Sequence, residues 1–167
     1  MQDLNEYSDG PEAGSSRKPN KLGSEPVLQQ LKLGLIGCGG MGHRHMHALR
    51  ELRANGLSQW ELVGVCDPDK QSAGSAAALG QKLFGRAPSV YGELEDLIEK
   101  ERPDAVSVVT TAPTHLAVVS KALSLGVNVL VEKPIVLDML SARLLGQVLE
   151  NTNQILSVAE NFRRDPL

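Results

Sequence analysis

Three short stretches carry residue types at spacings suited to chemistry. The first is Gly37-Cys38-Gly39-Gly40-Met41-Gly42, in which Gly37, Gly39 and Gly42 stand at G-x-G-x-x-G positions. An apolar run, Leu31–Ile36, precedes it, and apolar residues at helical spacing follow. Glycines in that context permit a tight turn, close backbone approach to a pyrophosphate, and close helix–strand packing. The helix start would offer unpaired N–H groups and the positive end of its dipole to the anion. All six residues are therefore candidate cofactor contacts; a glycine-rich turn with no ligand is the alternative. The second is Asp67, which ends the next apolar run. A carboxylate there accepts hydrogen bonds from an adenosine ribose and repels a 2′-phosphate, which favours NAD over NADP. The competing reading is a turn aspartate ahead of Pro68.

The third stretch is Val131-Glu132-Lys133-Pro134. Lys133 follows a buried-type apolar run, and Pro134 restricts the local backbone. A partly desolvated lysine at such a strand end can exchange a proton with a substrate hydroxyl. An exposed lysine paired with Glu132 is the plainer alternative. His115 follows Thr110-Thr111-Ala112-Pro113-Thr114 and reads equally as a ligand-facing or a packing histidine. His43, His45 and His47 crowd the first turns of the first helix, with His43 and His47 on one face. A metal site would need a third ligand that the local sequence lacks, so they are read as polar residues beside the phosphate site and no metal is expected. Cys38 and Cys66 are expected as small, buried, reduced side chains. Neighbouring strands could bring them within disulfide reach, and neither has an evident base partner.

The elements that must position these residues follow from periodicity. Strands are predicted at Leu31–Ile36, Trp60–Cys66, a short piece within Ala87–Tyr91, Asp104–Thr110, Val127–Val131 and Ile155–Ala159. Helices are predicted from Gly42 to Asn55, with Met46, Leu49 and Leu52 towards the sheet, and from Lys70 to Leu79, stopped by Gly80. Further helices are predicted over Gly92–Glu101, Thr114–Leu125 and Asp138–Asn151, the last N-capped by Asp138. Strand and helix alternate, and the strands are apolar nearly throughout, as in a sheet covered on both faces. The fold class is α/β, a Rossmann-type doubly wound parallel sheet in a single domain over residues 31–160. Ligands of such sheets sit at the carboxyl ends of the strands, where every residue singled out above falls.

Composition narrows the class further. The 167 residues are 41% hydrophobic and 22% charged with a net charge of −3, which gives no basic footprint for nucleic acid. No run of 18 or more apolar residues would span a membrane. The amino terminus has no apolar core of a secretory signal, and the expected location is cytoplasmic. Residues 1–30, rich in Gly, Pro, Ser and Asn, are expected to form a disordered tail. His43 stands where a P-loop would need its Lys-Ser/Thr pair, which excludes that class.

Taken together, Gly37–Gly42, Cys66-Asp67, His115 and Val131-Glu132-Lys133-Pro134 resemble, in order and spacing, the nucleotide-binding half of the Gfo/Idh/MocA (glucose–fructose oxidoreductase, inositol dehydrogenase) family. The resemblance covers about residues 31–167. It implies NAD as cofactor, with NADP second, and a sugar or polyol as the small-molecule substrate. It implies that Lys133 is catalytic, assisting proton transfer, and that Glu132 supports the cofactor site. Thr110, Thr111, Ala112 and His115 would line the nicotinamide half. One position departs: the family usually has proline four residues before its histidine, where this chain has Thr111, so the loop there is expected to take its own path. Residues 161–167 look like the start of the family's carboxyl-terminal substrate domain, through which a homo-oligomer would form. A non-catalytic dinucleotide-binding module and, further off, an S-adenosylmethionine-dependent methyltransferase are the competing functions.

Overall fold

Near-continuous apolar runs form strands here because both faces of the sheet are covered. The computed structural model describes residues 30–57 and 59–160; the expectations for residues 1–29 and 161–167 lie outside them. The chain runs β1 (Leu31–Ile36), α1 (Gly40–Ala54), β2 (Trp60–Cys66), α2 (Lys70–Phe84), β3 (Ser89–Tyr91) and α3 (Leu94–Glu101). It continues through β4 (Ala105–Val108), a 3-10 turn (Ala112–Thr114), α4 (His115–Ser124), β5 (Asn128–Glu132), α5 (Met139–Glu150) and β6 (Leu156–Ala159). Among the described residues the strands form a six-stranded sheet in the order β3-β2-β1-β4-β5-β6. Every pairing is parallel. This is the expected doubly wound Rossmann topology, with the strand order reversing direction between β1 and β4.

Successive strand residues point to opposite faces, so β1 and β2 each feed two cores. Leu35 and Val65 pack with Met46, Ala73 and Ala76 beneath α1 and α2. Ile36, Cys66, Val106, Val108, Val129 and Val131 pack on the other face with Leu97, Val119, Leu123 and Leu145 from α3, α4 and α5. The expected stripe of α3 is present, with Leu94 and Leu97 buried and Ile98 half-buried.

Several local readings need correction. Helix α1 starts at Gly40 rather than Gly42, and it buries Met46 while Leu52 is 43% exposed. Residues three apart drift by about 60° per step on a helix with 3.6 residues per turn, so Leu52 lies about 120° from Met46. Helix α2 does not stop at Gly80. A Cβ there would meet Pro88 Cδ at 2.4 Å, so the glycine serves close packing inside the helix. The helix ends instead at Gly85, in the left-handed conformation with φ +78°. Strand β4 stops at Val108, short of the expected Thr110.

The start of α5 is as expected: Asp138 accepts hydrogen bonds from the Ser141 backbone N–H at 2.8 Å and its hydroxyl at 2.7 Å. Those bonds favour the ionised carboxyl and hold it below the ordinary value of 3.8. A lowered pKa in the folded state gives stability that is present above the unfolded value and is lost as pH falls through the folded one. Asp138→Ala is therefore expected to lower the melting temperature at about pH 7, with the gap from wild type narrowing as pH falls below the ordinary value of 3.8. Thermal melts followed by circular dichroism across this pH range measure this.

Candidate functional site

The reversal of strand order leaves a crevice above the carboxyl ends of β1 and β4, and the glycine loop crosses it. Gly37 has φ +97°, and a Cβ on it would stand 2.9 Å from Thr110 N and from Val109 C and O. A Cβ on Gly42 would stand 2.3 Å from Gly37 O. These two glycines let α1 and the end of β4 close on the turn. Gly39 and Gly40 differ, since nothing lies within 4 Å of a Cβ built on either.

Helix α1 begins with no side-chain cap and no acid in its first turn. Its first helical bond runs from His43 N–H to Gly39 O at 3.1 Å, so the preceding N–H groups of that turn lack an intrahelical acceptor. Asp69 and Asp138 close the starts of α2 and α5. The open loop, the uncapped turn and the dipole behind it fit a diphosphate.

Asp67 ties this loop to β2. Its Oδ2 accepts the Cys38 N–H at 2.8 Å and its Oδ1 the Asp69 N–H at 2.9 Å. Each carboxylate oxygen keeps a further lone pair for a ribose hydroxyl. Between β1, β4, α3 and α4 lies a cavity of about 750 Å³. It gathers Gly37, Gly39, Gly40, Met41, Asp67, Thr110 and Thr111 of the expected site residues. It also brings in Glu93, Glu95, Thr114 and Lys121, which the sequence reading left out. Glu95 and Lys121 form an ion pair across α3 and α4. An acid on one helix and a lysine on the next was the only sequence signal for that pair.

Cys38, Gly42, Ala112, His115, Glu132 and Lys133 are not on that cavity's wall. Cys38 and Gly42 are buried on the underside of the loop. His115 is 1% exposed. Its Nδ1 lies 2.8 Å from Pro134 O and its Nε2 3.1 Å from Thr110 O, so the ring joins the loops after β4 and β5. Glu132 is half-buried, and its carboxylate is engaged by protein groups: Oε1 lies 2.9 Å from His45 Nε2, and Oε2 accepts the Lys133 N–H at 3.0 Å. Lys133 itself is exposed, against the partial desolvation expected of it, because it stands one residue beyond the end of β5. Among the described residues no three metal-ligating side chains come together, and no helix is long and apolar enough to cross a membrane.

Both cysteines are buried and free. Burial pushes the Cys38 thiol up to about 12, aided by the negative charge of Asp67. Burial likewise raises Cys66 to about 11, with Glu93 adding to it. Thiolate is the reactive form, so at about pH 8 the folded chain is expected to show no fast-reacting thiol towards a disulfide reagent. Both thiols should react after denaturation in guanidinium. A fast-reacting thiol in the folded chain would contradict this account of their burial.

Comparison with known proteins places this geometry. Residues 31–160 match the sequence profile of the oxidoreductase family with an NAD-binding Rossmann fold, GFO_IDH_MocA. A D-apiose dehydrogenase from Paraburkholderia graminis is 32% identical over 140 residues, covering 84% of this chain and 35% of the relative. An inositol 2-dehydrogenase from Ralstonia nicotianae is 37% identical over 105 residues, covering 63% of this chain and 29% of the relative. The crystal structure of an oxidoreductase from Agrobacterium radiobacter, in complex with NAD+, L-tartaric acid and magnesium, superposes with a TM-score of 0.67 at 29% identity. That match covers 81% of this chain and 36% of the other. The chain thus spans about a third of the length of these relatives. The glycine loop, the strand order and the profile match agree: this chain belongs to the Gfo/Idh/MocA oxidoreductase family, over that family's NAD-binding Rossmann portion.

Proposed function

We propose that the chain is the cofactor half of an NAD-dependent dehydrogenase acting on a sugar or polyol hydroxyl. The observation that carries this reading is the open face at Gly39 and Gly40, set against an uncapped α1 and joined to Asp67. In this reading residues 31–160 are one cofactor-binding unit. The N–H groups of the Gly37–Gly42 turn hold the diphosphate, and the free lone pairs of Asp67 accept the ribose hydroxyls. The Asp67 carboxylate would lie against any 2′-phosphate, which sets NAD ahead of NADP. Thr110, Thr111 and Ala112 border the nicotinamide half, while His115 holds their loop against Pro134.

When bound, the nicotinamide accepts or returns the hydride. The chain's own task is the accompanying proton. Lys133, at the carboxyl end of β5 beside the switch point, takes or gives that proton at the substrate hydroxyl. Substrate selection and subunit contacts are placed in the additional length that the relatives carry. Two buried free thiols suit a reducing compartment such as the cytoplasm.

The test is a panel of sugars and polyols assayed for NADH formation with the protein that carries this chain. Turnover with at least one polyol supports the reading. NAD binding with no turnover on any polyol would favour a non-catalytic module. Displacement of bound NADH by S-adenosylmethionine would favour the methyltransferase alternative.

A further inference from the structure

Ser107 lies in the middle of β4 and is 2% exposed. Its Oγ is 3.1 Å from Nδ1 of His45 on α1, and Nε2 of the same ring is 2.9 Å from Oε1 of Glu132. The His45 and Glu132 side chains are 19% and 13% exposed. A carboxylate only accepts, so the proton in the second contact sits on His45 Nε2, and the Nδ1 edge of the same ring meets the Ser107 hydroxyl, which can donate or accept. The other Glu132 oxygen accepts the backbone N–H of Lys133 at 3.0 Å. One hydrogen-bonded line therefore runs from the sheet interior to the backbone of Lys133.

Serine, imidazole and carboxylate in series have the connectivity of a nucleophilic triad. Ser107 is enclosed within the sheet, so its hydroxyl cannot reach a substrate, and the series orients groups instead of attacking. Its effect falls on Lys133. The Glu132 carboxylate is held on one side by His45 and on the other by the peptide N–H that follows it. Two residues along, Pro134 O is held by His115. The backbone is thus clamped before and after a lysine whose side chain is exposed.

We propose that His45 is a positioning residue which, through Glu132, fixes the backbone of Lys133 and so aims its ammonium group. The proposal rests on the reading of Lys133 as the proton-transfer group. A misplacement of about 1 Å caused by a substitution away from the chemistry can cost about 10²-fold in rate. A glutamine at this position has an amide nitrogen that can replace Nε2 and an oxygen that can accept from Ser107.

Nuclear magnetic resonance of the isotopically labelled 167-residue chain tests the geometry without any turnover. The expected result is a His45 ring that carries a proton on Nε2, directed at Glu132. The Lys133 amide resonance should move on His45→Ala and return towards its wild-type position on His45→Gln. Glu132→Ala removes the acceptor from the other side and should move the same amide, which covers the case of a His45→Ala chain that does not fold. A His45 Nε2 without a proton, or a Lys133 amide unmoved in a folded variant, would overturn the proposal. In the turnover assay, His45→Ala should lower kcat by up to about 10²-fold while the Kd for NADH stays within about twofold, with His45→Gln recovering most of the rate. Equal loss in kcat and NADH affinity, or no rescue by glutamine, would also overturn it. A wild-type chain that binds no NADH would instead remove the functional reading of Lys133, and the amide result would still decide the hydrogen-bonded line.

Discussion

Gly42→Ala is expected to destabilise the domain by about 3 kcal/mol or more, a large share of the 5–15 kcal/mol typical of a whole domain. The reason is contact, not propensity, since alanine is the better helix former. The new Cβ would lie 2.3 Å from Gly37 O, and that atom is backbone held in a turn. Relief requires α1 to move off the loop. That motion would lift Met46, wholly buried beneath it, out of its packing. Gly37→Ala is expected to be as costly, because it combines φ +97° with 2.9 Å approaches to Val109 and Thr110. Urea denaturation of the wild type and the two variants measures both effects. The same motif holds two further glycines, Gly39 and Gly40, where an added Cβ meets no protein atom within 4 Å. The loop thus separates into glycines the fold needs and glycines that leave the binding face open.

Lys133→Ala has the other large expected effect, and it falls on turnover. The side chain is exposed, so its loss should leave the melting temperature nearly unchanged. The Lys133 N–H bond to Glu132 is made by the backbone and survives the substitution. Removing a positioned proton-transfer group should lower kcat by about 10²–10⁴-fold. Affinity for NADH should change by no more than about threefold, because the diphosphate and ribose contacts lie at Gly37–Gly42 and Asp67. Steady-state kinetics on the polyol substrate, beside a direct NADH titration, separates the two quantities. Parallel losses in turnover and affinity would assign Lys133 to cofactor binding instead.

Much of this was legible in the sequence, and particular residues show why. Strands such as Val129–Val131 are readable because burial on two faces leaves a continuous apolar run, and Ala105–Val108 because only a single serine interrupts one. Asp138 is readable because an N-cap is a local device: the bonds it makes are to residue 141. Gly80 is ambiguous in the sequence because the same residue type can end a helix or admit a close neighbour, and only Pro88, from a separate segment, decides which. Leu52 departs from the buried face because spacing by threes drifts around a helix. The expected desolvation of Lys133 failed because burial of β5 does not extend past its last residue.

The series Ser107–His45–Glu132 was not legible at all. Its members are separated by 62 and 87 positions, and no local pattern marks them as partners. In the sequence His45 was one of three crowded histidines, and Ser107 was a polar break in an apolar run. Only the parallel pairing of β1, β4 and β5 brings them onto one line. The cavity wall contributed by Glu93, Glu95 and Lys121 has the same origin, since α3 and α4 meet only once the sheet is assembled.

The central claim is that the open face at Gly39 and Gly40 is a dinucleotide site. The most direct measurement is an NADH fluorescence titration of the 167-residue chain beside its Gly39→Val variant, with thermal melts of both. A Cβ at Gly39 has no protein atom within 4 Å, so the melting temperature should hold, while the valine side chain should fill the space required by the diphosphate. The expected result is saturable NADH binding by the wild type, weakened at least about tenfold by Gly39→Val. A folded wild-type chain that binds no NADH, or a Gly39→Val chain that binds it as tightly as the wild type, would contradict the claim.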